Sequence, residues 1–224
     1  MTTAPIHENL PHILAEGYAA FWSGRLKEEQ SRFRQLADEG QKPPVLLIGC
    51  CDSRVSPEVI FDAGPGEIFV VRNIANLIPP FESEDPLPET ASAIEYAVLA
   101  LKVAHIVVMG HAQCGGIRAF AQGEAQEFQP LSEANFVSKW KSLVKPAADR
   151  LGPPAGDFDH YCESLSYASI IQGLANLRTY PWVREREAEG KLTLHGAYFG
   201  VANGRMTVLD QARGTFVPVI PPQK

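Results

Sequence analysis

Three short runs of branched apolar residues constrain this chain more than anything else in it: VLLIG (Val45–Gly49), EIFVV (Glu67–Val71) and HIVVMG (His105–Gly110). Each run is continuous rather than alternating, which is the texture of a strand covered on both faces. Helical sequence separates them. TASAIEYAVLALK (Thr90–Lys102) lies between the second and third, and a short helix is expected after Ser56-Pro57, between the first and second. Strands that alternate with helices need crossover connections. The pattern therefore predicts an α/β fold with a mostly parallel, doubly wound central sheet and flanking helices.

The remaining segments attach to that frame. From Glu8 to Glu39, apolar residues such as Leu10, Leu14, Tyr18, Phe21, Trp22, Phe33 and Leu36 recur at helical spacing, and Gly40 closes the stretch before QKPP. This predicts an amphipathic helical arm over residues 1–40, broken near Pro11 and Gly24. Glu133–Arg150 reads as a helix, and Tyr161–Glu189 as largely helical with a break near TYPW. KLTLHGAYF and RMTVLD are strand-like, and the Asn203-Gly204 pair between them is a hairpin signal. No repeat, low-complexity tract or linker interrupts the chain, so a single domain over residues 1–224 is expected.

Composition excludes several classes. With 45% hydrophobic residues in 224, the chain can bury a substantial core without disulfides. Twenty basic against 26 acidic residues, a net of −6 with no basic block, argues against a nucleic-acid partner. No run reaches the roughly 18 apolar residues of a membrane span, and the first residues lack a basic stretch followed by an apolar one. A soluble, cytoplasmic protein is expected. The four cysteines lack the regular spacing of a disulfide framework, which favours reduced thiols or metal ligands.

The chemistry-bearing residues stand at strand ends. VLLIG runs into Cys50, and HIVVMG runs into HAQCGG, which carries His111 and Cys114. In open parallel sheets ligands bind outside the carboxyl ends of the strands, so these residues can converge across the intervening chain. Two thiolates and an imidazole suit zinc, and three protein ligands leave a fourth position open, as in catalytic sites. Water on such an ion becomes a hydroxide nucleophile near neutral pH. Asp52 and Arg54, two residues apart on a turn, can face the same side, with Arg54 holding the carboxylate ionised. Each residue also has an ordinary reading, as a helix-start H-x-x-C, a buried strand-end cysteine, a turn acid and a surface arginine. Spacing alone leaves both readings open.

With these motifs the chain resembles the plant-type branch of the beta-class carbonic anhydrases. The C-x-D-x-R signature is Cys50-Cys51-Asp52-Ser53-Arg54, and H-x-x-C is His111-Ala112-Gln113-Cys114 followed by a glycine pair. The stretches FDAGPGEIFVVRNIANLIPP, LANLRTYPWVRE and LTLHGAYF extend the likeness from Gln41 to about Gly200. The resemblance implies one Zn2+ per chain on Cys50, His111 and Cys114, and reversible hydration of carbon dioxide to bicarbonate and a proton. It implies that Asp52 orients the zinc-bound hydroxide and that Arg54 holds Asp52. In a closed, inactive state Asp52 would become a fourth ligand. Gln41, nine residues before Cys50, would donate to a substrate oxygen, and Phe69, Ile74, Tyr96 and Gly115 would line the pocket. The family also implies a homodimer or dimer-based higher oligomer, with the arm over a neighbouring subunit and part of the pocket supplied by that neighbour.

Some positions depart from the family. Leu47 stands where the bicarbonate-inhibited branch has tryptophan, so no such inhibitory site is expected. Ala100 replaces a histidine that some members offer for proton transfer, which leaves His105, His160, His195 or buffer as acceptors. Cys51 takes the place of the usual serine, and strand alternation predicts that it packs away from the side Cys50 faces. Competing functions are hydrolysis of carbonyl sulfide or carbon disulfide on the same fold, a non-catalytic zinc module and, least favoured, redox chemistry at the strained Cys50-Cys51 pair.

Overall fold

The computed structural model describes residues 9–81, 88–124, 132, 133 and 135–220. It divides into two compact units, Met1–Gln41 and Lys42–Lys224. In the first, helices α1 (His12–Ser23) and α2 (Arg25–Glu39) are joined at Gly24, and α2 ends at Gly40 with φ +76°. The expected helical arm is thus two helices, and the expected start at Glu8 lies outside the described residues. Phe21 and Phe33 meet edge to face at 6.0 Å, and Tyr18 rests against Trp22 at 6.1 Å. Neither helix holds a buried residue.

The second unit is built on six strands: β1 (Val45–Cys50), β2 (Ile68–Asn73), β3 (His105–His111), β4 (Thr193–Phe199), β5 (Met206–Asp210) and β6 (Thr215–Pro218). Their order is β2-β1-β3-β4-β5-β6. The first four are parallel, while β5 and β6 join antiparallel. From β1 the chain goes to β2 on one side, through the short helix α3 (Pro57–Ile60), and β3 lies on the other. That reversal of direction opens a crevice at the carboxyl ends of β1 and β3. The turn around Asn203-Gly204 makes the expected hairpin. Strand β6 was not foreseen, because TFVP is short and proline-terminated and reads as tail.

One sheet face carries the larger core. Leu46, Ile48, Ile106, Val108 and Leu194 pack against Ile170, Leu174 and Leu177 of the long helix α8 (Phe158–Leu177), each buried side chain contributing about 1.5–3 kcal/mol. Helix α4 (Pro88–Glu95) adds Ile94 to this core and continues as a π-helical turn, Tyr96–Leu101, that adds Val98. The sequence predicts uninterrupted helix to Lys102. The wider turn ends there because Lys102 takes a left-handed conformation and donates its N–H to Ala97.

Between Cys114 and α8 run α5 (Gly115–Glu124), α6 (Phe136–Lys141), a 3-10 turn (Ser142–Val144) and α7 (Lys145–Leu151). The helix expected over 133–150 is therefore divided, with Pro146 starting a new first turn, where a missing N–H costs nothing. Helix α9 (Pro181–Ala188) follows the break at Thr179-Tyr180. Among the described residues, no helix is long and apolar enough to cross a membrane.

Candidate metal centre

Strand β1 ends at Cys50 and β3 at His111, and the two strands are hydrogen-bonded neighbours. Gln113 then turns the chain through a left-handed conformation, φ +56°, which delivers Cys114 at the start of α5. As a result the Cys50, His111 and Cys114 ligand atoms lie within 4.8 Å of one another, all buried. The two sulfurs are 3.9 Å apart.

The donor set fits a tetrahedral metal ion such as zinc. His111 Nδ1 is held by the Ala112 carbonyl at 2.9 Å, which leaves Nε2 facing the sulfurs. Nε2 is fully buried and has no hydrogen-bond partner. An orphaned ring nitrogen costs about 1–3 kcal/mol, and a metal is the partner that removes the cost. Cys50 is the thiol held toward thiolate: its pKa is pushed down, first by the Cys114 thiol donating to it, against the opposing penalty of burial. Cys114 is pushed up by that same thiolate and by burial, against the N–H groups of Ile117 and Gly116 at the α5 terminus. Two thiolates side by side need a cation between them.

Asp52 stands beside the cluster, Oδ2 3.9 Å from His111 Nε2. Arg54 grips it with Nε on Oδ1 at 2.9 Å and Nη2 on Oδ2 at 2.7 Å, while the Arg54 backbone N–H donates to Oδ1. The guanidinium therefore holds the carboxyl far below its usual range. Arg54 also donates to the Gln113 carbonyl, tying this pair to the loop that carries Cys114.

Around the cluster the residues expected at a pocket fall in different places. A cavity of about 340 Å3 is lined by Cys50, Cys51, Asp52, Ile74, Gly115, Gly116, Ala119 and Val137, so Ile74 and Gly115 are among its walls. Phe69 and Tyr96 are paired with each other, ring centres 5.9 Å apart, and do not line this cavity; Tyr96 is half exposed. Gln41 is exposed at the end of the first unit. Cys51 does not pack away, because β1 stops one residue earlier: it is exposed and lines the same cavity as Cys50.

A second cavity, about 460 Å3, lies on the α8 side of Cys114 and includes Arg118, Asp159, His160, Glu163 and Tyr198. His160 belongs there. His105 and His195 pair at 3.2 Å toward the opposite, amino-terminal ends of β3 and β4. None of the three lines the cavity at Asp52.

Sequence reading missed three positions. Arg72 donates to the carbonyls of Cys50 and Asp52, at 2.8 and 2.7 Å, and so fixes the backbone on either side of Cys51. Asn73 ties down the following turn through Leu77, accepting its N–H and donating to its carbonyl. Trp140 donates to the Ile74 carbonyl. The only signal for the first two is a polar pair, Arg72-Asn73, ending an otherwise apolar strand.

The family profile described as carbonic anhydrase matches residues 45–206. Beta carbonic anhydrase 5, chloroplastic, of Arabidopsis thaliana is 37% identical over 188 residues, 83% of this chain and 60% of that protein. The chain thus spans less than two thirds of that relative's length. The solved beta-carbonic anhydrase CcaA superposes with a TM-score of 0.82 at 31% identity, covering 92% of this chain and 98% of the other. A tetrameric beta-carbonic anhydrase from Sordaria macrospora gives 0.75 at 32% identity, covering 89% and 96%.

Proposed function

This chain belongs to the beta-class carbonic anhydrases, and we propose that it catalyses the reversible hydration of carbon dioxide with a zinc ion on Cys50, His111 and Cys114. The observation that carries this reading is the orphaned His111 Nε2 aimed at two sulfurs, with a clamped carboxylate at 3.9 Å. Zinc held there supplies the Lewis acidity that makes water a nucleophile near neutral pH. Asp52 Oδ2 accepts a hydrogen from the attacking water and aims its lone pair at the carbon. Arg54 keeps that carboxylate ionised and occupied, and so withholds it from the metal. Ile74 and Val137 offer carbon dioxide an apolar wall, against which a molecule without a dipole is held by dispersion. His105 and His195 stand toward the far ends of β3 and β4, so the released proton passes to buffer or to His160, which lines the second cavity beside Cys114.

Gln41, Phe69 and Tyr96 enter the same reading as contributions to a pocket completed by a second copy of the chain. The apolar residues exposed on the arm and the tetrameric Sordaria relative support a dimer-based oligomer.

Stopped-flow hydration with zinc-replete protein tests the reading. The rate is expected to rise with pH between about 7 and 9, and Asp52→Asn to lower it by about 10–100-fold with zinc retained. Zinc at one per chain with no hydration in that window would sink it. Carbonyl sulfide run in parallel reports whether the pocket prefers the sulfur analogue.

A further inference from the structure

The turn after β2 is under unusual constraint. Ala75 and Asn76 are buried and both left-handed, φ +62° and +49°, in residues that have no glycine freedom. Asparagine tolerates that region, but at Ala75 it is unfavourable and persists only where surrounding contacts enforce it. The turn has two jobs at the metal centre. The Ile74 side chain walls the cavity, and Ala75 is buried in the same apolar cluster as Cys50 and Cys114. From one side it is pressed by α5, whose approach requires a glycine: a Cβ on Gly116 would lie 2.9 Å from both Ala75 Cβ and Ile74 Cγ2.

From the other side it is held by α6. Trp140 Nε1 donates to the Ile74 carbonyl at 2.8 Å, and its ring packs on the cluster that contains Cys50, Ala75 and Cys114. One turn earlier on the same helix face, Val137 lines the cavity. The next residue, Lys141, is buried and donates to the Ala119 carbonyl, which anchors α6 to α5. Trp140 itself does not line the cavity.

We propose that Trp140 is a positioning residue for the metal centre: its indole N–H holds the left-handed Ile74–Asn76 turn where Ile74 shapes the substrate wall and Ala75 fills the buried cluster shared with Cys50 and Cys114. The substrate half of this inference rests on the carbon dioxide reading above. The sulfur half does not. Loss of the N–H frees the turn to relax toward ordinary backbone angles, which loosens the packing around the metal cysteines and shifts one wall of the pocket.

Two variants separate the hydrogen bond from bulk. Trp140→Phe keeps an aromatic ring but no donor. Trp140→His keeps a ring N–H at nearly the same distance from Cβ but loses the larger ring. The metal site is read in cobalt-substituted protein through the thiolate-to-cobalt absorption band, alongside zinc affinity by competition with a chelator. Trp140→Phe is expected to shift the band, weaken zinc about tenfold and lower kcat/KM for carbon dioxide about tenfold, mainly through KM. Trp140→His is expected to lie closer to the parent in all three. A double-mutant cycle with Ile74→Ala is expected to show non-additive kinetics, because both changes act on one wall.

Parent-like band and affinity in Trp140→Phe would overturn the proposal, as would a larger defect in Trp140→His, which would make Trp140 packing alone. If the parent itself failed to hydrate carbon dioxide, the carbon dioxide reading would fall, while the band and the zinc affinity would still decide the sulfur half.

Discussion

Cys50 and Cys51 are adjacent in the chain and differ in everything that matters for chemistry. Cys50 is buried and lies 3.9 Å from the Cys114 sulfur, whose thiol donates to it and holds it toward thiolate. Cys51 is exposed, and partial desolvation together with Cys50 pushes its thiol up, away from the reactive thiolate form. Cys51→Ser is expected to retain one metal per chain and to change stability by no more than about 0.5 kcal/mol, as a surface substitution does. Cys50→Ser is expected to lose the metal; elemental analysis of the two purified variants checks both. The three candidate ligands and the Asp52-Arg54 pair were legible in the sequence because their spacings are local and fall at the ends of apolar strands. Arg72 and Trp140 were not legible, since their partners lie across the fold: Trp140 meets Ile74 from a helix that spacing alone does not bring near.

At the scale of elements, the buried strands β1, β2 and β3 were readable because both faces are covered and the apolar runs are unbroken. The π-helical turn at Tyr96 and the edge strand β6 depend on tertiary packing and left little local trace. The far ends of β3 and β4 carry a separate electrostatic feature. Burial, and secondarily His105, push the His195 pKa down from the ordinary imidazole range. The folded state therefore keeps His195 neutral at a pH where the unfolded chain binds a proton. Its stability contribution is full above the ordinary value of about 6.5 and is lost as pH falls from there through the lower folded value. Urea midpoints measured from pH 7.5 down to 5 are expected to fall less steeply for His195→Gln than for the parent. A parallel decline in the two proteins would show that His195 carries none of the slope.

At the scale of the whole molecule, the arm exposes more apolar surface than a free helix pair needs: Ile13 is 77% and Trp22 60% exposed, with Leu14 and Tyr18 close behind. Such a stripe suits the dimer-based oligomer proposed above, in which a second copy would cover it. Ile13→Ser combined with Trp22→Ser is expected to reduce the oligomer, read as a lower mass in light scattering, while circular dichroism stays unchanged. An unchanged mass would remove the arm from the assembly. The sheet has a matching asymmetry at its two borders. On one side β6 is four residues long, and Pro218, opposite Thr207, has no N–H to offer a further strand. On the other, β2 is six residues long and free of proline. The β6 border is therefore short and one donor poorer, and a ladder shared between two copies, or seeded in aggregation, is favoured at β2, the border that also carries Arg72.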